Sequence, residues 1–265
     1  MAAPPDDPAL ITAGHMTIWE HLGELRHRLM VMIVAIFVGA VIFWFLYPYV
    51  LEFLRRPYCN IVTPGETCTL YATDLLEPLA TRLKVSGYGG IMLAMPVILW
   101  QLWRFVTPGL YAHEKRYAIP FVSAALMLFA MGATVAYLTF GQALQFLTTI
   151  GGTSIEEIPS VGSFLTLIIY MMLAFGAGFE FPVFLVALQL VGVLTPEQLS
   201  SWRRMAAVVI VIVAAVITPS GDPISLLALA VPMYIFYEAS ILIGRLVLRR
   251  RRKAEKAKAS ASPDP

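Results

Sequence analysis

Residues 158–191 read IPSVGSFLTLIIYMMLAFGAGFEFPVFLVALQLV, 34 residues that carry a single formal charge, Glu180. The hydrocarbon core of a bilayer is about 30 Å thick, so a spanning helix needs about 20 predominantly apolar residues. This stretch exceeds that length. An acid within it costs at least ~2.5 kcal/mol on insertion scales, so it is expected to face protein, a partner helix or water. The small residues Gly176, Ala177 and Gly178 beside it permit close helix approach, and Pro182 frees a backbone carbonyl for another donor. The stretch therefore reads as a membrane helix carrying a functional acid.

Comparable runs flank it on both sides. Residues 29–47 and 85–103 are each 19 residues without a charge, and residues 117–155 are 39, enough for one span and a loop beginning near Gly141. Residues 205–218 and 224–244 supply a shorter fifth and sixth span. The shorter fifth run covers only about 21 Å at 1.5 Å per residue, and its shortness is met by thinning of the bilayer or entry of water. Composition agrees: 58% of the 265 residues are hydrophobic and 14% charged, against roughly 25% charged in soluble domains. The prediction is an all-α membrane protein of six transmembrane helices. A net charge of +2 spread through apolar sequence excludes a nucleic-acid-binding surface.

The distribution of basic residues orients these spans. Arg26, Arg28, Arg104, Lys115, Arg116, Arg203, Arg204 and the run from Arg245 to Lys258 fall on one side, and only Arg55, Arg56, Arg82 and Lys84 on the other. Positively charged loops stay cytoplasmic, so both termini are expected in the cytoplasm. Residues 1–15, rich in Pro with two Asp, read as a disordered lead-in, residues 16–252 as the membrane domain and residues 253–265 as a disordered polar tail. The basic run at the start of the tail is expected to contact anionic lipid.

Several side chains stand out as candidate functional groups. Thr17 with Glu20 is a capping-box pattern, and Ile18, Leu22, Leu25 and Leu29 recur at helical spacing, which predicts a short amphipathic helix at the inner interface. Glu24 on that helix has two readings, an i,i+4 pair with Arg28 or an acid lining a groove. In the second inner loop, Trp100, Trp103, Phe105, Pro108, Leu110 and Tyr111 precede Glu114, Lys115 and Arg116. These residues form either an aromatic belt with a solvated charge cluster or the apolar wall of the same groove. In the groove reading, Glu24 and Glu114 hold the guanidinium groups of a peptide by bidentate hydrogen bonds that lysine cannot reproduce. Glu238, near the inner end of the last span, reads as an interfacial structural acid.

Cys59 and Cys68 fall in the first outer loop, on the oxidising side, where they form either a disulfide or two free thiols. The histidines at 15, 21, 27 and 113 show no metal-ligand spacing, and no phosphate loop or nucleophile elbow is present. The sequence thus predicts no metal, no cofactor and no enzyme activity.

Ordered motifs extend along nearly the whole chain. They are His21-Leu22-Gly23-Glu24-Leu25-Arg26, Ala72-Thr73-Asp74 before Pro78, Ala94-Met95-Pro96-Val97, Phe105 through Tyr111, His113-Glu114-Lys115-Arg116, Phe175 through Pro182, and Thr218-Pro219 followed by Asp222. In this order the chain resembles TatC, the large integral membrane subunit of the twin-arginine protein translocase. The resemblance implies a concave, cupped six-helix receptor in the bacterial cytoplasmic membrane. It recognises twin-arginine signal peptides of already folded proteins. Export would draw on the protonmotive force, since the sequence holds no nucleotide site.

The signal-binding acids of the family map onto Glu24 and Glu114, with Phe105, Pro108 and Leu110 shaping the site and Arg26 on a further motif position. Glu180 maps onto a membrane-embedded glutamate linked to the single-span partners TatA and TatB, and Pro57 and Asp222 onto functional outer-loop positions. Self-association is also implied. Ala112 departs from relatives that carry a basic residue there, and the cysteine pair is not a general family feature. The competing readings are a proton- or cation-coupled small-solute transporter centred on Glu180 and a membrane scaffold without a ligand. The transporter predicts inverted repeats and a central polar cavity, and the sequence shows no second intramembrane acid in a matching place.

Overall fold

The computed structural model describes residues 18–59, 70–106, 118–150, 160–219 and 221–261. Among them it is a bundle of seven helices: α1 (Ile18–Cys59), α2 (Glu77–Val106), α3 (Ala118–Ile150), α4 (Val161–Val191), α5 (Pro196–Ser201), α6 (Arg203–Ile217) and α7 (Pro223–Ala261). Five of these, α1, α2, α3, α4 and α7, are long and apolar enough to cross a membrane. The short fifth apolar run forms α6, whose 15 residues reach about 22 Å.

α4 is the hub. Phe164, Leu165, Ile168, Met171, Phe175 and Phe179 along its length are all buried, packed with Phe140 from α3 and Leu229, Met233 and Ile241 from α7. Its ends are well defined. Ser160 caps the start through the backbone N–H of Ser163, and Gly192 ends the helix at φ 84°, a left-handed conformation that glycine adopts without steric cost. α1 is the opposite case, packed mainly on α2 with Phe37 and Phe45 about 70% exposed, the pattern of a helix facing lipid. The α1–α2 contact is close because two glycines meet. A Cβ on Gly39 would lie 2.6 Å from the carbonyl oxygen of Gly90.

Several boundaries differ from those suggested by sequence. The amphipathic segment from Ile18 is not a separate helix but the first turns of α1, which continues to Cys59. α3 runs through Gly141, where composition suggests a loop, and ends at Ile150. The reason is packing, since Phe140 and Ala143 on either side of that glycine are fully buried. Burial on this scale outweighs the ~1 kcal/mol that glycine costs within a helix. The tail expected to be disordered from residue 253 is helical as far as Ala261, because Lys253–Ala261 is built largely from Ala, Lys and Glu, strong helix formers.

Contacts between helix ends establish which termini share a side. Glu77 at the start of α2 bonds to the start of α4, Arg28 near the start of α1 reaches Gln101 near the end of α2, and Gln189 near the end of α4 bonds to Ser240 in α7. The beginning of α1 and the latter half of α7 therefore lie at one end of the bundle. Arg26, Arg28, Arg104, Arg203, Arg204, Arg245 and Arg249 gather there, and it is called the basic end below.

Candidate functional site

At the basic end, the two readings of Glu24 meet. Its carboxylate forms an ion pair with the guanidinium of Arg28 one turn further along α1, so the helical pair exists. The same contact belongs to a wall between two helices, because Arg28 Nη1 also reaches Gln101 Oε1 on α2 at 3.5 Å. Arg28 is buried, with 8% of its side chain exposed, and Glu24 keeps 26%. Most of this pair is withdrawn from solvent, Oε2 of Glu24 included. Arg26, two residues before Arg28, is exposed.

The aromatic residues of α2 divide between two roles. Trp100 is partly exposed, as an interfacial anchor would be. Trp103 is buried and stacks on Phe121 of α3 with ring centroids 4.1 Å apart, so it fastens α2 to α3. Phe105 is half-buried in the last turn of α2. Pro108, Leu110 and Glu114 lie outside the described residues, as do the motif positions between them.

Glu180 occupies a different depth. It precedes the end of α4 by 11 residues, about 16 Å of helix. Around it α4 is pinched between neighbours: a Cβ on Gly176 would meet the Phe129 ring of α3 at 2.6 Å, and one on Gly178 would meet Leu229 of α7 at 3.2 Å. Pro182 is buried within the helix. One carboxyl oxygen of Glu180, Oε1, is buried and has no hydrogen-bond partner among the described residues. A buried carboxylate oxygen in this condition calls for a proton, a water or a donor from another molecule.

The opposite end holds the remaining predicted positions. Pro57 is not in a loop: it is buried in the last turn of α1, where its ring packs while the helix is already ending. Cys59, the final residue of α1, is disulfide-bonded, and Cys68 lies outside the described residues. Asp222 is fully buried and starts α7, its Oδ1 accepting from the backbone N–H of Ser225 at 2.7 Å. Near the basic end, Glu238 bridges α7 to α6 through Arg203 at 2.8 Å, which is an interfacial structural role.

One acid escaped the sequence reading. Glu77 accepts hydrogen bonds from the Ser160 hydroxyl, the Gly162 N–H at 2.7 Å and the Thr73 hydroxyl at 2.9 Å. It clasps the segment before α2 to the start of α4, beside the backbone bond from the Val161 N–H to the Tyr71 carbonyl. Gly162 leaves room for it, since a Cβ there would lie 2.7 Å from Glu77 Oε1. The signal was an acid immediately before Pro78, at the first turn of a helix, where acids and proline are both favoured.

The fold and the sequence as a whole match a known family. Residues 20–232 match the family described as Sec-independent protein translocase protein (TatC). The chain belongs to the TatC family. Among similar proteins, the Sec-independent protein translocase protein TatC of Aquifex aeolicus is 39% identical over 245 residues, 91% of this chain and 100% of that protein. The TatC protein of Frankia casuarinae is 37% identical over 246 residues, 89% of this chain and 68% of that one. A crystal structure of the twin-arginine translocase receptor TatC aligns with a TM-score of 0.71 at 39% identity, covering 86% of this chain and 99% of that one. A second, of the receptor in the detergent DDM, aligns with a TM-score of 0.72 at 38% identity, covering 85% and 99%. Within the family, this chain is a multi-pass bacterial membrane protein and a component of the Sec-independent protein translocase.

Proposed function

We propose that the protein is the signal-peptide receptor and core subunit of a twin-arginine translocase, which exports folded proteins across the cytoplasmic membrane using the protonmotive force. The observation that carries this reading is the match to the solved receptor over 86% of the chain. The family match spans residues 20–232, which include Glu24 and Gln101. Glu24 and Glu114 bind the two arginines of a signal peptide, with Phe105, Pro108 and Leu110 shaping the site and Arg26 beside it. A guanidinium suits a carboxylate that is held in place, because its donors form a rigid planar fork.

The basic end faces the cytoplasm by the rule that positive charge stays inside, which puts both termini there and makes α6 the short fifth of six spans. Glu180, with Pro182 in the same helix, receives a polar group from single-span TatA- or TatB-type subunits, supported by the unpartnered Oε1. Pro57, Asp222 and the disulfide at Cys59 shape the periplasmic end. A proton- or cation-coupled solute transporter centred on Glu180 is not favoured, because the chain's relatives are protein translocase components.

Binding of a twin-arginine signal peptide to the purified protein, beside a twin-lysine peptide, tests the reading. Arginine-selective binding that is lost in the Glu24→Ala, Glu114→Ala double variant is expected. Equal binding of the two peptides, or a double variant that binds like the parent, would refute it.

A further inference from the structure

In an unbroken helix each backbone N–H bonds to the carbonyl four residues earlier, and proline has no N–H to give. Pro48 and Pro57 both lie within α1, so the carbonyls of Trp44 and Phe53 lose their usual donors. Each of these carbonyls accepts a side-chain donor from another helix. Arg82 of α2 donates from Nη2 to the Trp44 carbonyl at 2.8 Å, and the Tyr137 hydroxyl of α3 donates to the Phe53 carbonyl at 3.0 Å. The same two residues of α1 are also held by their rings. The Arg82 guanidinium carbon lies 4.2 Å from the centroid of the Trp44 ring, and the Tyr137 ring stacks on Phe53 with centroids 4.5 Å apart and planes within 9°. The spacing of the prolines fits this grip: nine positions are about two and a half turns, so the opened carbonyls fall on opposite sides of α1, one met by α2 and the other by α3.

We propose that Pro48 and Pro57 are docking positions, each opening one carbonyl of α1, and that Arg82 and Tyr137 are the positioning residues that seat this half of the helix on α2 and α3. Freed backbone groups within a membrane are satisfied by neighbouring helices, and here the satisfying group also supplies the inter-helix contact. An arginine in a membrane helix needs acceptors such as backbone carbonyls. Among the described residues Arg82 meets the Trp44 carbonyl and the rings of Trp44 and Tyr47, so its place near the start of α2, opposite the basic end, follows from Pro48. The seated segment ends in Pro57 and the disulfide-bonded Cys59, and these contacts do not depend on what binds at Glu24. The Trp44 contact is the stronger of the two. Trp44 stands inside the uncharged run 29–47, whereas Phe53 stands between Glu52 and Arg55, where water competes for the carbonyl.

The test uses the full-length protein in lipid nanodiscs. Arg82→Met keeps an apolar stem and is expected to lower the melting temperature by about 4 °C, the effect of removing a donor from an acceptor in apolar surroundings in a chain of this size. Tyr137→Phe keeps the ring stack and is expected to lower it by about 2 °C. Each loss shrinks to about half or less in the background of its own proline variant, Pro48→Ala or Pro57→Ala, where a restored N–H serves the same carbonyl. The crossed combinations, Arg82→Met with Pro57→Ala and Tyr137→Phe with Pro48→Ala, are expected to add. The Trp44 carbonyl gives a second readout, because Trp44 is the one tryptophan followed by phenylalanine, and carbonyl-13C tryptophan with 15N phenylalanine marks it alone in solid-state NMR. Its resonance is expected to move upfield in Arg82→Met and to return towards the parent when Pro48→Ala is added. Additive matched pairs, equal coupling in the crossed pairs or an unmoved Trp44 resonance overturns the proposal, because general loosening of α1 would treat every pair alike. If Arg82→Met does not fold, the Tyr137 and Pro57 cycle decides on the same terms.

Discussion

Replacing Gly90 with alanine tests whether the α1–α2 contact is as close as the backbone places it. A Cβ on Gly90 would lie 2.5 Å from the backbone nitrogen of Ala40, 2.7 Å from its Cα and 2.9 Å from its Cβ. Carbon atoms rest at about 3.5–4.0 Å, so the helices must separate by about 1 Å locally. Backbone atoms block the methyl group, so no rotamer change relieves the clash. Overpacking of this kind costs about 1–3 kcal/mol. For a chain of this size, about 2 kcal/mol lowers the melting temperature by about 4–8 °C.

Gly87, one turn earlier in the same helix, is the matched control, because a Cβ there meets nothing within 4 Å. Gly87→Ala should gain up to about 1 kcal/mol from helix propensity, so the two substitutions have opposite signs. Both are followed by intrinsic tryptophan fluorescence during heating in one detergent at one scan rate. Since α1 carries Glu24 and Arg28 while α2 carries Gln101, Gly90→Ala should also weaken signal-peptide binding, and Gly87→Ala should not. A Gly90→Ala protein that melts at or above the parent, or no lower than Gly87→Ala, would refute the close approach.

Other substitutions probe the remaining features. Asp222→Ala removes the side-chain acceptor at the start of α7 and should cost about 1–2 kcal/mol, read as an earlier melt that Asp222→Asn largely restores. Glu180→Leu removes an acid with an insertion cost of at least ~2.5 kcal/mol. It is expected to raise the melting temperature while abolishing export of a twin-arginine reporter, and a lower melting temperature would show instead that Glu180 is a structural residue. Arg203 and Glu238 are both substantially exposed at 44% and 34%, so a double-mutant cycle should give a coupling energy below about 1 kcal/mol.

Much of the fold was legible because hydropathy is a local quantity. The uncharged runs at 29–47 and 85–103 correspond to the bodies of α1 and α2, and the run around Glu180 to α4, since about 20 apolar residues specify a span whatever they touch. Helix boundaries were less legible. Nothing in the composition near Gly141 shows that Phe140 and Ala143 would be fully buried, which keeps α3 going. The family resemblance put Pro57 on an outer-loop position, yet it is accommodated in the last turn of α1.

The sequence by itself determined an apolar, all-helical chain with basic residues segregated to alternate loops, and it singled out Glu24 and Glu180 as acids in apolar surroundings. These properties follow from which residues stand within a few turns of one another. The tertiary structure decided what those acids touch. It paired Glu24 with Arg28 and set Gln101 behind them across 73 positions of sequence. It joined Glu77 to Ser160 across 83 and left Glu180 Oε1 buried with no partner among the described residues. Such contacts depend on the rotation of each helix and on how closely glycines let two backbones approach. Neither is a property of any single stretch of chain.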